Sequence, residues 1–134
     1  MTLVADASVL VAALVDSGPD GSWALALIAD EQLAAPHLVM VETANVLRRL
    51  ALSGAIPAQT ADLAHEDLLA LPIQLAPYDL LARRVWQLRE TLTSFDACYV
   101  ALAEELAVPL ATLDRRLARS TGPRCRMLTP PARP

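Results

Sequence analysis

Asp6, Glu42, Asp96 and Asp114 are the residues of this sequence whose type and placement suit chemistry. Asp6 and Asp114 each follow a short apolar run, and Asp96 falls in the first turn of a helix that Thr93 or Ser94 would cap. Glu42 lies on a helix between them. Each acid alone has a plain explanation. An aspartate at a helix start accepts from N–H groups that have no partner in the helix, and it faces the positive end of the dipole. Glu42 alone would be a solvated residue on a helix face. Four acids that converge are different. Two like charges ~4 Å apart repel by ~4 kcal/mol at an effective dielectric of ~20, and a helix N-terminus offsets only ~0.3–1 kcal/mol. A convergent cluster therefore calls for a cation. Oxygen ligands with no Cys or His point to Mg²⁺ or Mn²⁺. Such a site suits phosphoryl chemistry, because the metal activates water and holds phosphate oxygens.

The elements that must position these acids read off in chain order. Leu3-Val4-Ala5 is a buried strand, and Val9 to Val15 a short helix stopped by Ser17-Gly18-Pro19-Asp20-Gly21. Ser22 caps a helix to about Asp30. Gln32 to Ala35 is a second strand closed by Pro36. Leu38 to Leu52 is an amphipathic helix with Val39, Thr43, Val46 and Leu50 on one ridge. Glu42, Asn45 and Arg49 form a polar line on it. Pro57 starts a helix that reaches Leu71. Pro72 to Leu75 is a third strand, and Pro77 to Thr91 a further helix. The helix of Asp96 ends near Ala107. Pro109 to Thr112 is a fourth strand, Asp114 caps a short helix through Arg119, and Arg126 to Leu128 is a last edge strand. The tail 129–134 is expected to be loose.

Short apolar strands alternating with helices predict one α/β domain over residues 1–134, with a mainly parallel sheet covered on both faces. In such sheets the functional crevice lies beyond the C-terminal strand ends, near the switch in strand order. Asp6 and Asp114 both follow strand ends. Asp96 reaches the same edge if its helix begins there.

Bulk composition narrows the classes. A chain of 134 residues suits a single core, and 54% hydrophobic content suits a buried sheet or an apolar partner surface. The helices from Trp23 to Ala29 and from Leu38 to Leu52 would offer such a surface. The apolar stretch from Leu3 to Val15 does not read as a signal peptide, since no basic residue precedes it and Asp6 interrupts it. No apolar run is long enough to span a bilayer, so a cytoplasmic protein is expected. Cys98 and Cys125 form no CxxC pair and suit a reduced compartment. His37 and His65 match no zinc pattern.

The net charge of −4 argues against a protein that coats nucleic acid. Every basic residue is arginine, however, and these cluster at Arg48-Arg49, Arg83-Arg84, Arg115-Arg116-Arg119 and Arg124-Arg126. Most read as solvated helix faces. Around an acidic centre they would be phosphate contacts. Aromatics at 4% disfavour a base-stacking platform.

Four stretches resemble the signatures of PIN-domain ribonucleases, and more narrowly of the VapC toxins of bacterial toxin–antitoxin pairs. They are Val4-Ala5-Asp6-Ala7-Ser8, Glu42-Thr43-Ala44-Asn45, Phe95-Asp96-Ala97-Cys98-Tyr99-Val100-Ala101-Leu102-Ala103 and Thr112-Leu113-Asp114. The resemblance spans nearly the whole chain, and the Asp96 stretch is its most specific part. It implies a three-layer α/β/α sandwich. It also implies that Asp6, Glu42, Asp96 and Asp114 line a Mg²⁺ or Mn²⁺ site, with Ser8, Asn45 and Thr112 as supporting polar residues. Members cleave RNA as endonucleases, dimerise, and are silenced by a VapB antitoxin, so a homodimer and a toxin–antitoxin hetero-oligomer are expected. Arg49, Arg115 and Arg116 would contact the RNA backbone. The chain departs from the family in one respect. Many members carry a further acid shortly after the last signature aspartate, where this chain has Arg115-Arg116-Leu117, and one-metal and two-metal mechanisms both stay open.

Two other readings compete. Haloacid-dehalogenase-like phosphatases use Asp-x-Asp after the first strand, but Ser8 holds the third position here and no lysine exists for their cationic role. A PIN-fold module that binds protein or RNA without catalysis is the alternative from a different class.

Overall fold

A computed structural model describes residues 1–132. Strands β1 (Thr2–Ala5), β2 (Gln32–Pro36), β3 (Ile73–Ala76), β4 (Leu110–Ala111) and β5 (Met127–Leu128) form one sheet in the order β3-β2-β1-β4-β5. Every pairing is parallel. The chain builds outward from β1 to β3, then returns to add β4 and β5 on the other side of β1. The order therefore switches between β1 and β4.

The helices are α1 (Ala7–Val15), α2 (Pro19–Asp30), α3 (Leu38–Leu52), α4 (Ala58–Ala70), α5 (Ala82–Gln87), α6 (Ser94–Leu106) and α7 (Arg115–Ala118). The crossovers from β1 to β3 put α1 to α4 on one face, where they pack on one another, and the return of the chain puts α5 and α6 on the other. The result is the α/β/α sandwich. Burial on both faces explains the apolar middle of the sheet: Leu3, Val4, Ala5, Leu110 and Ala111 are all removed from water. Helix α6 is the most deeply set, with Ala97 to Ala103 buried without a break, Cys98 among them. No helix among the described residues is long and apolar enough to cross a membrane.

Three expectations need correction. Helix α2 begins at Pro19, not at Ser22, with Pro at its first turn and Gly18 as cap. Gly21 is then helical, and a Cβ there would lie 1.8 Å from the Asp16 carbonyl oxygen, so glycine is what lets α2 close against the end of α1. The expected helix from Pro77 to Thr91 is broken into a 3-10 turn (Tyr78–Leu80), the six-residue α5 and further tight turns. The tail expected to be loose from Thr129 is partly held, since Pro130 is buried and its carbonyl accepts from the Arg115 guanidinium at 3.0 Å. Residues 133 and 134 of that tail lie outside the described residues.

Candidate active site

Helices α1, α3 and α7 each follow a strand and run back across the sheet, so their N-termini open at its C-terminal edge. Helix α6 leads back to the start of β4, so its N-terminus opens at that edge too. This puts Asp6, Glu42, Asp96 and Asp114 on one side of the molecule, at the switch in strand order.

Asp6 is the N-cap of α1 and is only 7% exposed. Its Oδ1 accepts from the Val9 N–H at 3.2 Å and from the Ser8 hydroxyl at 2.5 Å. Its Oδ2 accepts from the Thr112 hydroxyl at 2.5 Å. Those two hydroxyls in turn accept from the loop after β4: Ser8 Oγ from the Leu113 N–H and Thr112 Oγ1 from the Asp114 N–H, both at 3.0 Å. Two parallel relays thus fix the ends of β1 and β4 to each other. A buried carboxylate whose oxygens both accept hydrogen bonds is held in one orientation.

Asp114 caps α7, its Oδ1 accepting from the Arg116 and Leu117 N–H groups at 2.9 and 3.2 Å. Asp96 sits in the first turn of α6, its own N–H donating to the Thr93 cap at 3.1 Å. The Arg116 guanidinium lies between these two acids, 3.7 Å from Asp114 Oδ2 and 3.9 Å from Asp96 Oδ2. Glu42, on α3, accepts from the Tyr99 hydroxyl at 2.5 Å. Tyr99 is buried on α6, three residues after Asp96.

The acids feel one another. Asp6 is raised above the ordinary carboxylate range, first by burial and further by the Asp96 charge, against the lowering effect of Ser8, Thr112 and Val9. Glu42 is raised by burial and by Asp96, with Tyr99 opposing. Asp96 is raised by burial and by Asp114, with Arg116 and Thr93 opposing. The Tyr99 hydroxyl is pushed well up by burial and by its bond to Glu42.

The four acids are neighbours without forming an assembled ligand shell. Among the described residues no three of His, Cys, Asp or Glu stand close enough to hold a metal ion as they lie. The donor chemistry nonetheless fits a hard cation: all four acids offer carboxylate oxygens, and a guanidinium already lies within 4 Å of Asp96 and Asp114. Of the expected supporting residues, Ser8 and Thr112 hold Asp6. Asn45 and Arg49 are exposed on α3, and neither is hydrogen-bonded to the four acids among the described residues. Arg115 turns to Pro130 instead of the acids. The residue that motif reading passed over is Tyr99. Its position one turn after Asp96 on the same helix was the available signal.

This arrangement, a parallel sheet with carboxylates gathered at the switch point, is that of the PIN domain. The chain belongs to the PIN domain family, whose model matches residues 3–122. Within it the chain is similar to the VapC ribonuclease Mb0985 of Mycobacterium bovis and to ribonuclease VapC9 of Mycobacterium tuberculosis. Each is 40% identical over 123 residues, covering 92% of this chain and 94% of theirs. Ribonuclease VapC12 of Mycobacterium tuberculosis is 35% identical over 120 residues, covering 90% and 92%. Among solved structures, PAE2754 from Pyrobaculum aerophilum superposes with a TM-score of 0.69 at 25% identity, covering 95% of this chain and 83% of that one. VapBC2 from Rickettsia felis, solved with a DNA fragment from its promoter, gives 0.65 at 11% identity, covering 96% and 98%, and shares the fold.

Proposed function

We propose that this chain is a divalent-metal-dependent endoribonuclease, the toxin of a toxin–antitoxin pair, working in the cytoplasm as a homodimer until a cognate VapB antitoxin silences it. The observation that carries the reading is the locked Asp6. Two hydroxyls and an N–H hold a buried carboxylate in place beside Asp96, Asp114 and Glu42, and carboxylates raised by burial and by one another gather at functional sites.

Asp6, Asp96 and Asp114 would hold Mg²⁺ or Mn²⁺, with Glu42 completing the shell or orienting the attacking water. The ion supplies activation of water and neutralisation of charge on the phosphate oxygens. The protein does the positioning. Ser8 and Thr112 fix Asp6, and Tyr99 fixes Glu42. Arg116, with Arg49 and Arg115, would contact RNA phosphates. Because water attacks and the ribose 2′-hydroxyl does not, the products are a 5′-phosphate and a 3′-hydroxyl.

An apolar groove of about 570 Å³ adjoins the crevice and shares Ser8 and Leu113 with its rim; Val11, Val15, Val46 and Leu50 also line it. It suits an apolar segment of the antitoxin, and an arginine from that segment reaching the acids would block the cation or the phosphate. Val41 and Leu52 on α3 and Leu25 on α2 are exposed and suit association of two copies. The spacing of the acids as they lie favours one other reading, a PIN-fold module that binds without cutting.

RNA incubated with wild type and with Asp96→Asn, with and without Mn²⁺, separates the two. Cleavage by the wild type with Mn²⁺ alone, leaving 5′-phosphate ends, is the expected result. Ends carrying a 2′,3′-cyclic phosphate would refute the mechanism, and binding without any cleavage would favour the module.

A further inference from the structure

Arg116 is the one cation within 4 Å of any of the four acids among the described residues. Two features keep it there. Its N–H donates to Asp114 Oδ1, so its Cα is anchored in the first turn of α7 beside the acid it faces. Its guanidinium lies within 4 Å of a carboxylate oxygen from each of two helix starts, α6 and α7. The side chain is nevertheless 80% exposed, so neither packing nor a bidentate fork holds it in the gap. It is attached by charge alone, and water lies on its other side.

Those facts describe a tethered counter-ion. Asp96 and Asp114 are neighbouring like charges, and the Arg116 guanidinium lies 3.9 and 3.7 Å from an oxygen of each. A divalent ion serving the same two carboxylates would need the space and the charge that Arg116 now satisfies. We propose that Arg116 is a built-in placeholder cation, competing with the divalent ion for Asp96 and Asp114 and thereby weakening metal binding by the free chain. The inference rests on the metal-site reading above and adds to it a restraint that lies within the toxin's own chain. The guanidinium released when the metal binds is then free to turn outward toward an RNA phosphate.

The competition has a definite size. Two exposed ion pairs supply a modest free energy, so their loss should tighten metal binding by about three- to tenfold. Salt screens exposed charges, so the difference should shrink as ionic strength rises.

The test is calorimetric titration of Mn²⁺ alone into wild type, Arg116→Gln, Arg116→Lys and Arg115→Gln, without RNA, with melting curves in EDTA alongside. Arg115→Gln carries the same net charge as Arg116→Gln, but its guanidinium serves the Pro130 carbonyl. The expected result is tighter binding by Arg116→Gln, wild-type binding by Arg116→Lys and Arg115→Gln, and a lower EDTA melting temperature for Arg116→Gln that Mn²⁺ restores. Equal or weaker binding by Arg116→Gln overturns the placeholder and leaves the metal site intact. Equal tightening in Arg115→Gln also overturns it, since the effect is then general charge. A wild type that binds no Mn²⁺ overturns both the placeholder and the metal site.

Discussion

Thr112 donates its hydroxyl to Asp6 Oδ2, joining positions 106 residues apart in sequence at the centre of the sheet edge. Thr112 Oγ1 also accepts from the Asp114 N–H, so one threonine sets both the orientation of Asp6 and the path of the chain into Asp114. Thr112→Val keeps the shape and removes the donor. A buried carboxylate oxygen then lacks a partner, and the expected cost is about 1–3 kcal/mol of stability. Urea denaturation reads that loss, and RNA cleavage should fall with it. Thr112→Ser should recover most of both.

Tyr99→Phe tests the second positioning contact. Burial leaves the hydroxyl no role with solvent, so its one strong partner is Glu42. Loss of a hydrogen bond to a charged group should lower kcat by about tenfold. Stability should change less, because Glu42 is only half-buried and water can replace the donor. An unchanged kcat would mean that the orientation of Glu42 does not matter to cleavage.

How far the sequence revealed this site follows from what each residue type can signal. Asp6 and Asp114 were legible because a strand end followed by an acidic cap has a local signature. Helix α3 was legible because its apolar residues recur on one ridge, and its bounds match the reading. The stretch from Pro77 to Thr91 was not. Leu81, Val85, Leu88 and Leu92 are all buried at helical spacing, yet the backbone tightens after Gln87. The Arg89 guanidinium donates to the Trp86 carbonyl, the Thr91 hydroxyl donates to the Leu88 carbonyl, and both compete with a regular helix. Arg116 was legible as a basic residue near the site but not as the cation between two acids, because that place depends on how α6 and α7 meet.

The pair Arg84–Glu104 gives a pH prediction away from the site. Burial alone would raise Glu104, but the Arg84 guanidinium, bonded to both of its oxygens at 2.7 and 3.2 Å, and the Arg124 N–H hold it below the ordinary carboxylate range. A carboxyl lowered by folding contributes stability above its unfolded value, and the contribution is lost as pH falls through the lowered one. Wild type should therefore lose melting temperature more steeply than Glu104→Gln as pH drops below about 4.5. Parallel slopes for the two proteins would show that the pair contributes nothing in acid.

Ala107 ends α6 in the left-handed region, at φ 55° and ψ 46°. That conformation costs an alanine about 1 kcal/mol and glycine almost nothing. Ala107→Gly should raise the melting temperature by several degrees, with RNA cleavage unaltered, since the C-terminus of α6 lies at the opposite edge from the acids. A lower melting temperature would show that the Ala107 methyl contributes more by packing than the backbone loses by strain.

Strand order also decides when the site can exist. β1 emerges early in synthesis, but its neighbour β4, with Asp96 and Asp114 on either side, belongs to the last third of the polypeptide. A nascent chain still lacking that third holds Asp6 with no Thr112 to orient it and no companion aspartates. The acidic cluster is therefore assembled last, only once the segment from Asp96 to Asp114 has joined the sheet begun by β1.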